Sequence, residues 1–240
     1  MEAIRIAGEP ALLLPDATLV VADLHLGFEN ELRSRGINVP LKTDELIGRM
    51  KNLIRSVKPR NLVIVGDVKH HVAGPERMEF LAVPKFLSAI GGEASDVHIV
   101  LGNHDGGLEP LTPRDVEIHG SAGVAWGDAW LTHGSAKLPE EASSSRLIVM
   151  GHVHPSVRLR DAMGYRYSFQ VWLSGPMKGR NKRSIVVLPS FNKYIGQLVM
   201  NEPTRATLRG PLLSQRLVEL GELEVHTLEG HLLGKLRELF

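Results

Sequence analysis

The sequence contains no cysteine. This absence excludes a disulfide framework and any metal site built on thiolates, and it removes cysteine as a catalytic nucleophile. Metal-binding or catalytic chemistry in this chain therefore has to rest on histidine, acidic and amide side chains.

Overall charge and long apolar runs are also nearly absent. The formal net charge of the 240 residues is only +1, so a nucleic-acid partner would need a local basic surface. The longest apolar runs have the length of strands, far short of a membrane span. The first residues, MEAIRIAGEP, lack the basic and apolar regions of a signal peptide. We therefore expect a cytoplasmic protein without a membrane partner.

Short runs rich in valine, isoleucine and leucine recur along the chain and predict strands. They occupy residues 11–14, 18–22, 61–65, 97–101, 129–132, 146–150, 167–173 and 184–188. Two apolar-periodic segments between the early runs predict helices. One covers residues 42–57 and is capped by Thr43 or Asp44, and the other covers residues 75–90 and is broken or kinked near Pro84. The order favours an α/β sandwich with a mixed sheet, in a single domain over residues 1–240.

Polar residues directly follow five of these runs. The five segments are Asp23-Leu24-His25, Gly66-Asp67-Val68-Lys69-His70-His71, Gly102-Asn103-His104-Asp105, His133-Gly134 and Gly151-His152-Val153-His154. Each segment alone is compatible with an ordinary turn or cap. Ligands of open α/β sheets bind at the carboxyl ends of strands, so five such segments predict one shared cavity. The glycines permit tight turns and close approach there.

The side chains in these segments are typical of a metal site. Imidazole, carboxylate and amide oxygen without sulfur suit Mn²⁺, with Fe²⁺ or Zn²⁺ as alternatives. The candidate ligands are too many for one ion and fit two divalent ions that share a carboxylate. They are Asp23, His25, Asp67, Asn103, His133, His152 and His154.

The order D-x-H, GD, GNHD, H-G and GH-x-H resembles that of the calcineurin-like metallophosphoesterases. The resemblance implies a four-layer α-β-β-α sandwich with two mixed sheets and two metals at the strand ends, and LPSFN (188–192) looks like the closing strand and turn. It also implies a role for each residue. Asp23, His25 and His154 would bind the first metal, and Asn103, His133 and His152 the second. Asp67 would bridge the two, and His104 would contact the scissile phosphate.

The segment GDVKHH narrows the resemblance. It lacks the Asp-Arg-Gly of serine/threonine protein phosphatases, and His70 resembles a histidine that approaches the DNA phosphate in SbcD/Mre-type repair nucleases. The whole layout resembles the ICC-like phosphoesterases, which include a ligase-associated DNA damage response endonuclease. This implies a metal-dependent phosphodiesterase or nuclease that acts on DNA in repair, with DNA-repair proteins as partners.

The mechanism expected from this resemblance is in-line attack on phosphorus by a water that bridges the two metals. His104 would stabilise the developing charge or protonate the leaving oxygen. Asp105 would orient His104, or it would only cap the following turn.

Basic and aromatic residues offer a further hypothesis. MKGRNKR (177–183) predicts either phosphate contacts beside the site, through Lys178, Arg180, Lys182 and Arg183, or a solvated turn. We interpret Tyr165, Tyr167, Phe169 and Trp172 as core or interface residues in preference to a base-stacking platform. We interpret His98, His119, His226 and His231 as structural or exposed.

Two alternative functions stay open. One is a phosphodiesterase of cyclic nucleotides or other small nucleotides, which turnover of a nucleotide without DNA cleavage would favour. The other is a catalytically inactive scaffold on the phosphoesterase fold. The presence of all the candidate ligands and of His104 argues against the scaffold.

Overall fold

Two β-sheets form the centre of the molecule. The computed structural model describes residues 3–94, 96–179, 182–202, 210–214 and 217–240. The strands are β1 (Ile4–Arg5), β2 (Leu12–Leu13), β3 (Thr18–Val21), β4 (Asn61–Val65), β5 (Asp96–Val100), β6 (Val116–His119), β7 (Val124–Trp126), β8 (Ala129–Thr132), β9 (Leu147–Met150), β10 (Pro155–Arg160), β11 (Arg166–Pro176), β12 (Ser184–Val187), β13 (Leu198–Val199), β14 (Glu224–Thr227) and β15 (Leu232–Lys235).

The helices are fewer and mostly short. The α-helices are α1 (Glu29–Ser34), α2 (Thr43–Val57), α3 (Glu79–Gly91) and α4 (Gly210–Ser214). Short 3₁₀ helices occupy Glu109–Leu111, Glu140–Ser144, Leu220–Glu222 and Leu236–Leu239. None of the helices in the described ranges is long and apolar enough to cross a membrane.

The first sheet has the strand order β1-β2-β3-β4-β5-β6. Strands β3 to β6 run parallel, whereas β1 and β2 form an antiparallel edge. Strands β3 and β4 are nearly continuous apolar runs because both of their faces are covered, whereas the edge strand β6 alternates apolar and polar residues. The carboxyl ends of β3, β4 and β5 lie side by side, since Val21 pairs with Ile64 and Val65 pairs with Val100.

The second sheet has the order β13-β10-β11-β12-β9-β8-β7, and β14 and β15 extend it from β11. Strands β8, β9 and β12 run parallel to one another. Antiparallel pairs join β10, β12 and β14 to β11, and β7 to β8. Both sheets are therefore mixed, which confirms the predicted fold class.

Three buried clusters define the layers. Helices α2 and α3 bury Met50 and Phe86 against the outer face of the first sheet. Val63 and Trp172 belong to the cluster between the sheets. Leu212 of α4 lies in the cluster on the outer face of the second sheet. The α-β-β-α order is thus present, and in the described ranges the second helical layer consists of α4 and 3₁₀ helices only.

Local details differ from the sequence prediction in two places. Helix α2 has Lys42 at its N-cap without a side-chain hydrogen bond, so neither Thr43 nor Asp44 caps it. The N–H of Lys42 is instead accepted by the carboxylate of Glu29 at 2.5 Å. Helix α3 begins at Glu79, four residues later than predicted, and continues through Pro84.

The packing of α3 gives a direct test of the core. Phe86→Ala should lower the free energy of unfolding by about 3–5 kcal/mol, because Phe86 is fully buried against the first sheet. Phe80→Ala in the same helix is the matched control. The Phe80 side chain is 53% exposed, so its loss should change the unfolding free energy by less than about 0.5 kcal/mol. Urea denaturation followed by circular dichroism measures both, and equal effects would contradict this packing.

Candidate active site

Five strand ends from both sheets place polar side chains at one edge of the molecule. Their ligand atoms form three groups, and within each group all atoms lie within 4.8 Å of one another. Asp23, His25, Asp67 and His154 form the first group, Asp67, His133 and His152 form the second, and His25, His70 and His104 form the third. Asp67 belongs to the first two groups, so its carboxylate lies at the junction of the two sheets.

The imidazoles turn their Nε2 atoms toward two buried carboxylates. The Nε2 atom of His133 is 3.0 Å from Oδ1 of Asp23 and 3.3 Å from Oδ2 of Asp67. The Nε2 atom of His154 is 3.3 Å from Oδ1 of Asp23, and that of His25 is 3.5 Å from Oδ2 of Asp67. A compact set of nitrogen and oxygen donors results.

In two of these histidines, a neighbouring oxygen atom contacts Nδ1, the ring nitrogen that faces away from the carboxylates. His154 Nδ1 donates to the carbonyl of Gly196 at 2.9 Å, and His133 Nδ1 lies 3.0 Å from the hydroxyl of Ser135. Such bonds fix the ring and leave Nε2 free to bind a cation. Ser135 and Gly196 carry no sequence signal for this role, because serine and glycine are ordinary loop residues.

Glycines let the strand ends approach closely, as the sequence predicts. Gly66 has a φ of +88°, and a Cβ atom there would overlap the ring of His133. A Cβ atom at Gly102 would overlap the carboxylate of Asp67. Any larger residue at these two positions would displace a donor of the site.

The backbone of the site is strained. Within the described ranges, seven residues other than glycine have a positive φ. Five of them belong to the site, with φ between 44° and 70°: Asp23, His25, Asp67, His152 and His154. Each such conformation costs about 1–3 kcal/mol and persists only where the surrounding structure enforces it.

Burial and charge set the protonation of the donors. Burial opposes ionisation of Asp67, but His133 outweighs it and lowers the pKa of Asp67 to about 2. Burial likewise opposes protonation of His133, yet Asp67 and Asp23 raise its pKa to about 10. Burial lowers the pKa of His25 to about 3 and that of His152 to about 4. A divalent cation would compete with the proton of His133 for the same donors.

Three consecutive residues after β5, Asn103, His104 and Asp105, differ in their surroundings. Asn103 is exposed in the turn, and the Nε2 atom of His104 lies 3.8 Å from Oδ2 of Asp67. The Nδ1 atom of His104 bonds the carbonyl of His70. That carbonyl, rather than the neighbouring Asp105, orients the His104 ring.

Asp105 joins two loops. Its buried carboxylate accepts N–H groups from Val68 at 2.8 Å, from Lys69 at 3.2 Å and from Gly102 at 2.8 Å. Burial, with the charge of Asp67, raises the pKa of Asp105 to about 6. The three bonds connect the loops after β4 and β5, so Asp105 acts as a positioning residue. The described side-chain hydrogen bonds of Asp105 include neither the His104 ring nor an N–H of the following turn.

His70 connects the site to a groove. Its Nδ1 atom lies 3.2 Å from Nδ1 of His25, and its Nε2 atom lies 2.5 Å from the carboxylate of Glu31 in α1. The groove has a volume of about 450 Å³, and its lining includes His70, His104, Glu31, Glu76 and Glu79. The sequence does not indicate these glutamates, because they lie five to eight residues beyond the strand-end segments, and no residue pattern marks them.

The described residues of the basic stretch MKGRNKR, 177–179 and 182–183, do not lie beside the site. Strand β12 runs parallel to β9, with Ser184 opposite Leu147 and Val187 opposite Met150. The site follows the carboxyl end of β9, whereas these residues precede the amino end of β12. They therefore lie at the opposite end of the strands of the second sheet.

This placement argues against the predicted phosphate contacts of Lys178, Lys182 and Arg183 beside the site. Lys178 forms an ion pair with Glu219 at 3.1 Å, and Lys182 and Arg183 flank the start of β12. Arg180 lies outside the described residues. The solvated-turn interpretation fits the positions of Lys178, Lys182 and Arg183.

The β10–β11 hairpin extends from the site end of the second sheet. Strand β10 starts directly after His154. Leu173 of β11 is opposite Val187, the last residue of β12, so the earlier residues of β11 reach beyond that strand. Arg160 and Arg166 face each other near the hairpin tip.

The two faces of this hairpin differ. Because strand side chains alternate, Arg166 shares the face of Gln170 and Trp172. Trp172 is buried between the sheets, and Gln170 bonds Ser190 at 2.9 Å. The arginines therefore lie on the face that continues toward the first sheet. The opposite face carries exposed aromatic side chains, with 60% exposure at Tyr165, 50% at Tyr167 and 45% at Phe169. Of the four aromatics interpreted as core or interface residues, Trp172 is thus the one in the core.

Comparison with solved structures gives a similar fold for the Pseudomonas putida nuclease MPE. The TM-score is 0.60 at 18% identity, and the alignment covers 95% of this chain and 96% of that chain. The Escherichia coli phosphoesterase YfcE aligns over 91% of this chain and 97% of that chain, at 16% identity and a TM-score of 0.42. No curated protein matches the sequence significantly.

The family comparison covers the site itself. The model of the calcineurin-like phosphoesterases matches residues 17–187, which is more than half of the chain. That range includes all five strand-end segments. The chain therefore belongs to the calcineurin-like phosphoesterase family.

Proposed function

We propose that this protein is a phosphodiesterase that cleaves DNA with two divalent cations, Mn²⁺ in preference to Fe²⁺ or Zn²⁺. The observation that carries the proposal is the position of Asp67, because it is the carboxylate shared by the first two groups of potential ligands. Membership of the phosphoesterase family supports hydrolysis of a phosphoester. The role in DNA repair, the repair-protein partners, the cytoplasmic location and the single domain over residues 1–240 remain predictions from the sequence.

The donors suit the proposed cations. Asp23, His25 and His154 would hold one ion, and Asn103, His133 and His152 the other, with Asp67 shared between them. Imidazole nitrogen with carboxylate and amide oxygen is a donor set for Mn²⁺, Fe²⁺ or Zn²⁺. When bound, two such cations neutralise phosphate charge and lower the pKa of the water that attacks phosphorus in line.

Two histidines would act on the substrate directly. His104 faces the shared carboxylate from the groove side, and its bond to the His70 carbonyl holds Nε2 in that direction. This position suits a general acid for the leaving oxygen. His70 lies at the mouth of the groove with its ring bound to Glu31, where it can contact the phosphate.

The hairpin after His154 supports DNA as the substrate. Like charges directly opposite each other in a sheet repel, as Arg160 and Arg166 do. Neither arginine forms an ion pair with another described residue, and a phosphate backbone would neutralise both. Both arginines lie at the end of the sheet that carries the site, where a DNA strand would approach the cations. The nuclease name of the Pseudomonas putida protein makes nucleic acid the first substrate to test.

A small-nucleotide phosphodiesterase is the second candidate, and the acidic groove favours it. The groove has a volume of about 450 Å³ and is lined by Glu31, Glu76 and Glu79. It suits a compact neutral group, such as the base and ribose of a nucleotide, better than a long polyanion. Single-stranded, nicked and duplex DNA and cyclic nucleotides should be compared with Mn²⁺, Fe²⁺ and Zn²⁺. Cleavage of DNA supports the first proposal, and turnover of nucleotides without DNA cleavage supports the second.

Asp67→Asn should abolish hydrolysis of bis-p-nitrophenyl phosphate and lower the bound metal at both positions. The reason is that one carboxylate serves two ions, whereas a neutral amide offers a single uncharged oxygen and cannot supply one oxygen to each ion. Asp128→Asn, in the exposed turn between β7 and β8, is the matched control and should keep both properties. Metal analysis and hydrolysis rates measure the effect. A variant that retains both metals and the full rate would rule out the bridge.

His104→Ala should keep both metals and reduce the rate by about 10²–10⁴, the usual contribution of a general acid. His231→Ala removes an exposed histidine elsewhere and should leave the rate unchanged. The same two measurements apply. If His104→Ala loses a metal, His104 is a ligand and its proposed role is wrong.

Two double variants test the DNA-binding surface. Arg160→Ala/Arg166→Ala should weaken DNA binding and reduce the slope of log K against log salt by about 0.7–0.9 for each lost phosphate contact. Lys178→Ala/Lys182→Ala removes the same charge at the opposite end of the strands and should change DNA binding little. Hydrolysis of the small diester should be unaffected in both. Equal losses in the two variants would show that only net charge matters, which would contradict a specific role of the hairpin.

A further inference from the structure

A second set of potential metal ligands lies on strands β5 and β6, apart from the strand-end site. His98, Glu117 and His119 each place one ligand atom within 4.8 Å of the others. His98 is opposite Glu117 in the parallel pair, and His119 follows two residues later on the same face. The sequence alone does not bring them together, because eighteen residues separate His98 from Glu117 and the pairing of β5 with β6 is not visible in it.

The distances in this cluster match those of a small tetrahedral ion. The Nδ1 atom of His98 is 3.2 Å from Nε2 of His119 and 3.4 Å from Oε2 of Glu117. The Nε2 atom of His119 is 3.7 Å from Oε1 of Glu117. A tetrahedral Zn²⁺ with ligand bonds of 2.0–2.1 Å separates its ligands by about 3.3 Å. Glu117 faces His98 through Oε2 and His119 through Oε1, so the three side chains are close enough to supply one face of such a tetrahedron.

The surroundings leave one side of the cluster open. The side chains of His98 and His119 are 15% and 16% exposed, whereas that of Glu117 is 64% exposed. The ring of Trp126 packs edge-on against His98 at a centroid distance of 4.8 Å. A cation between the three ligands would be shielded from water by Trp126 on one side and would be open to water on the side of Glu117.

We propose that His98, Glu117 and His119 form a separate binding site for Zn²⁺ or a similar divalent transition-metal ion, with water as the fourth ligand. Two imidazoles and one carboxylate with an open position are a common zinc donor set. The ion would join β5 to β6, the edge strand of the first sheet. It would thereby hold in place an edge that is otherwise free to fray or to pair with another chain.

Zinc stoichiometry of the full chain tests this site. The unmodified chain should bind one more equivalent of Zn²⁺ than His119→Gln or Glu117→Ala in equilibrium dialysis. Loss of an outer-shell partner weakens metal binding by about 10–100-fold, and loss of a direct ligand should weaken Zn²⁺ binding by more than this. This difference does not depend on how many ions the strand-end site holds, and hydrolysis of the small diester should be the same in all variants.

Two controls make the result decisive. His231→Gln removes an exposed histidine outside the cluster and should bind as much Zn²⁺ as the unmodified chain. Glu117→Ala changes a mostly exposed side chain, so it remains informative if His119→Gln does not fold. Zn²⁺ should also slow hydrogen exchange of the β6 amides in the unmodified chain and in His231→Gln, but not in Glu117→Ala. Equal zinc content in the unmodified chain and Glu117→Ala, with equal exchange, would overturn the proposal.

Discussion

Two carboxylates buried side by side need positive charge, and this requirement organises the molecule. Asp23 and Asp67 are withdrawn from solvent at the junction of the sheets, where an unpaired charge costs several kcal/mol. The imidazoles that face them come from both sheets, so the carboxyl ends of the parallel strands have to meet at one edge. The glycines beside these ends and the oxygen partners of the outer ring nitrogens then become necessary, because they set how closely the rings approach. The fold supports a charge cluster that neither sheet could form alone.

Eight of the described strands and the strand-end residues could be predicted from the sequence because both signals are local. A strand covered on both faces is a continuous apolar run, and a functional residue at its carboxyl end comes next in the chain. The cap of α2 could not be predicted, since the partner of the Lys42 N–H is Glu29, which belongs to another helix. The sequence also contains no sign that β14 and β15 extend the second sheet, or that the second helical layer consists, in the described ranges, of α4 and 3₁₀ helices.

The parts of the site that escaped prediction depend on strand pairing. MKGRNKR lies between the long strand β11 and β12 in the sequence. Only the parallel register of β12 with β9 shows that its described residues lie at the end of the sheet away from the site. The same register reveals that the β10–β11 hairpin extends from the site end. The groove glutamates and the Gly196 carbonyl were missed for a related reason. Their roles come from contacts between distant segments, and no residue pattern in one segment records such contacts.

The left-handed backbone at the strand ends has an evolutionary consequence. Glycine adopts these angles without strain, so glycine at any of these five positions would relax the backbone while it removed a donor. Selection for stability alone would therefore favour sequences that no longer hold the site, and the retained side chains mark a stability–activity trade-off. A thermostable descendant of this chain would have to gain its stability elsewhere, in the helices and the outer faces of the sheets.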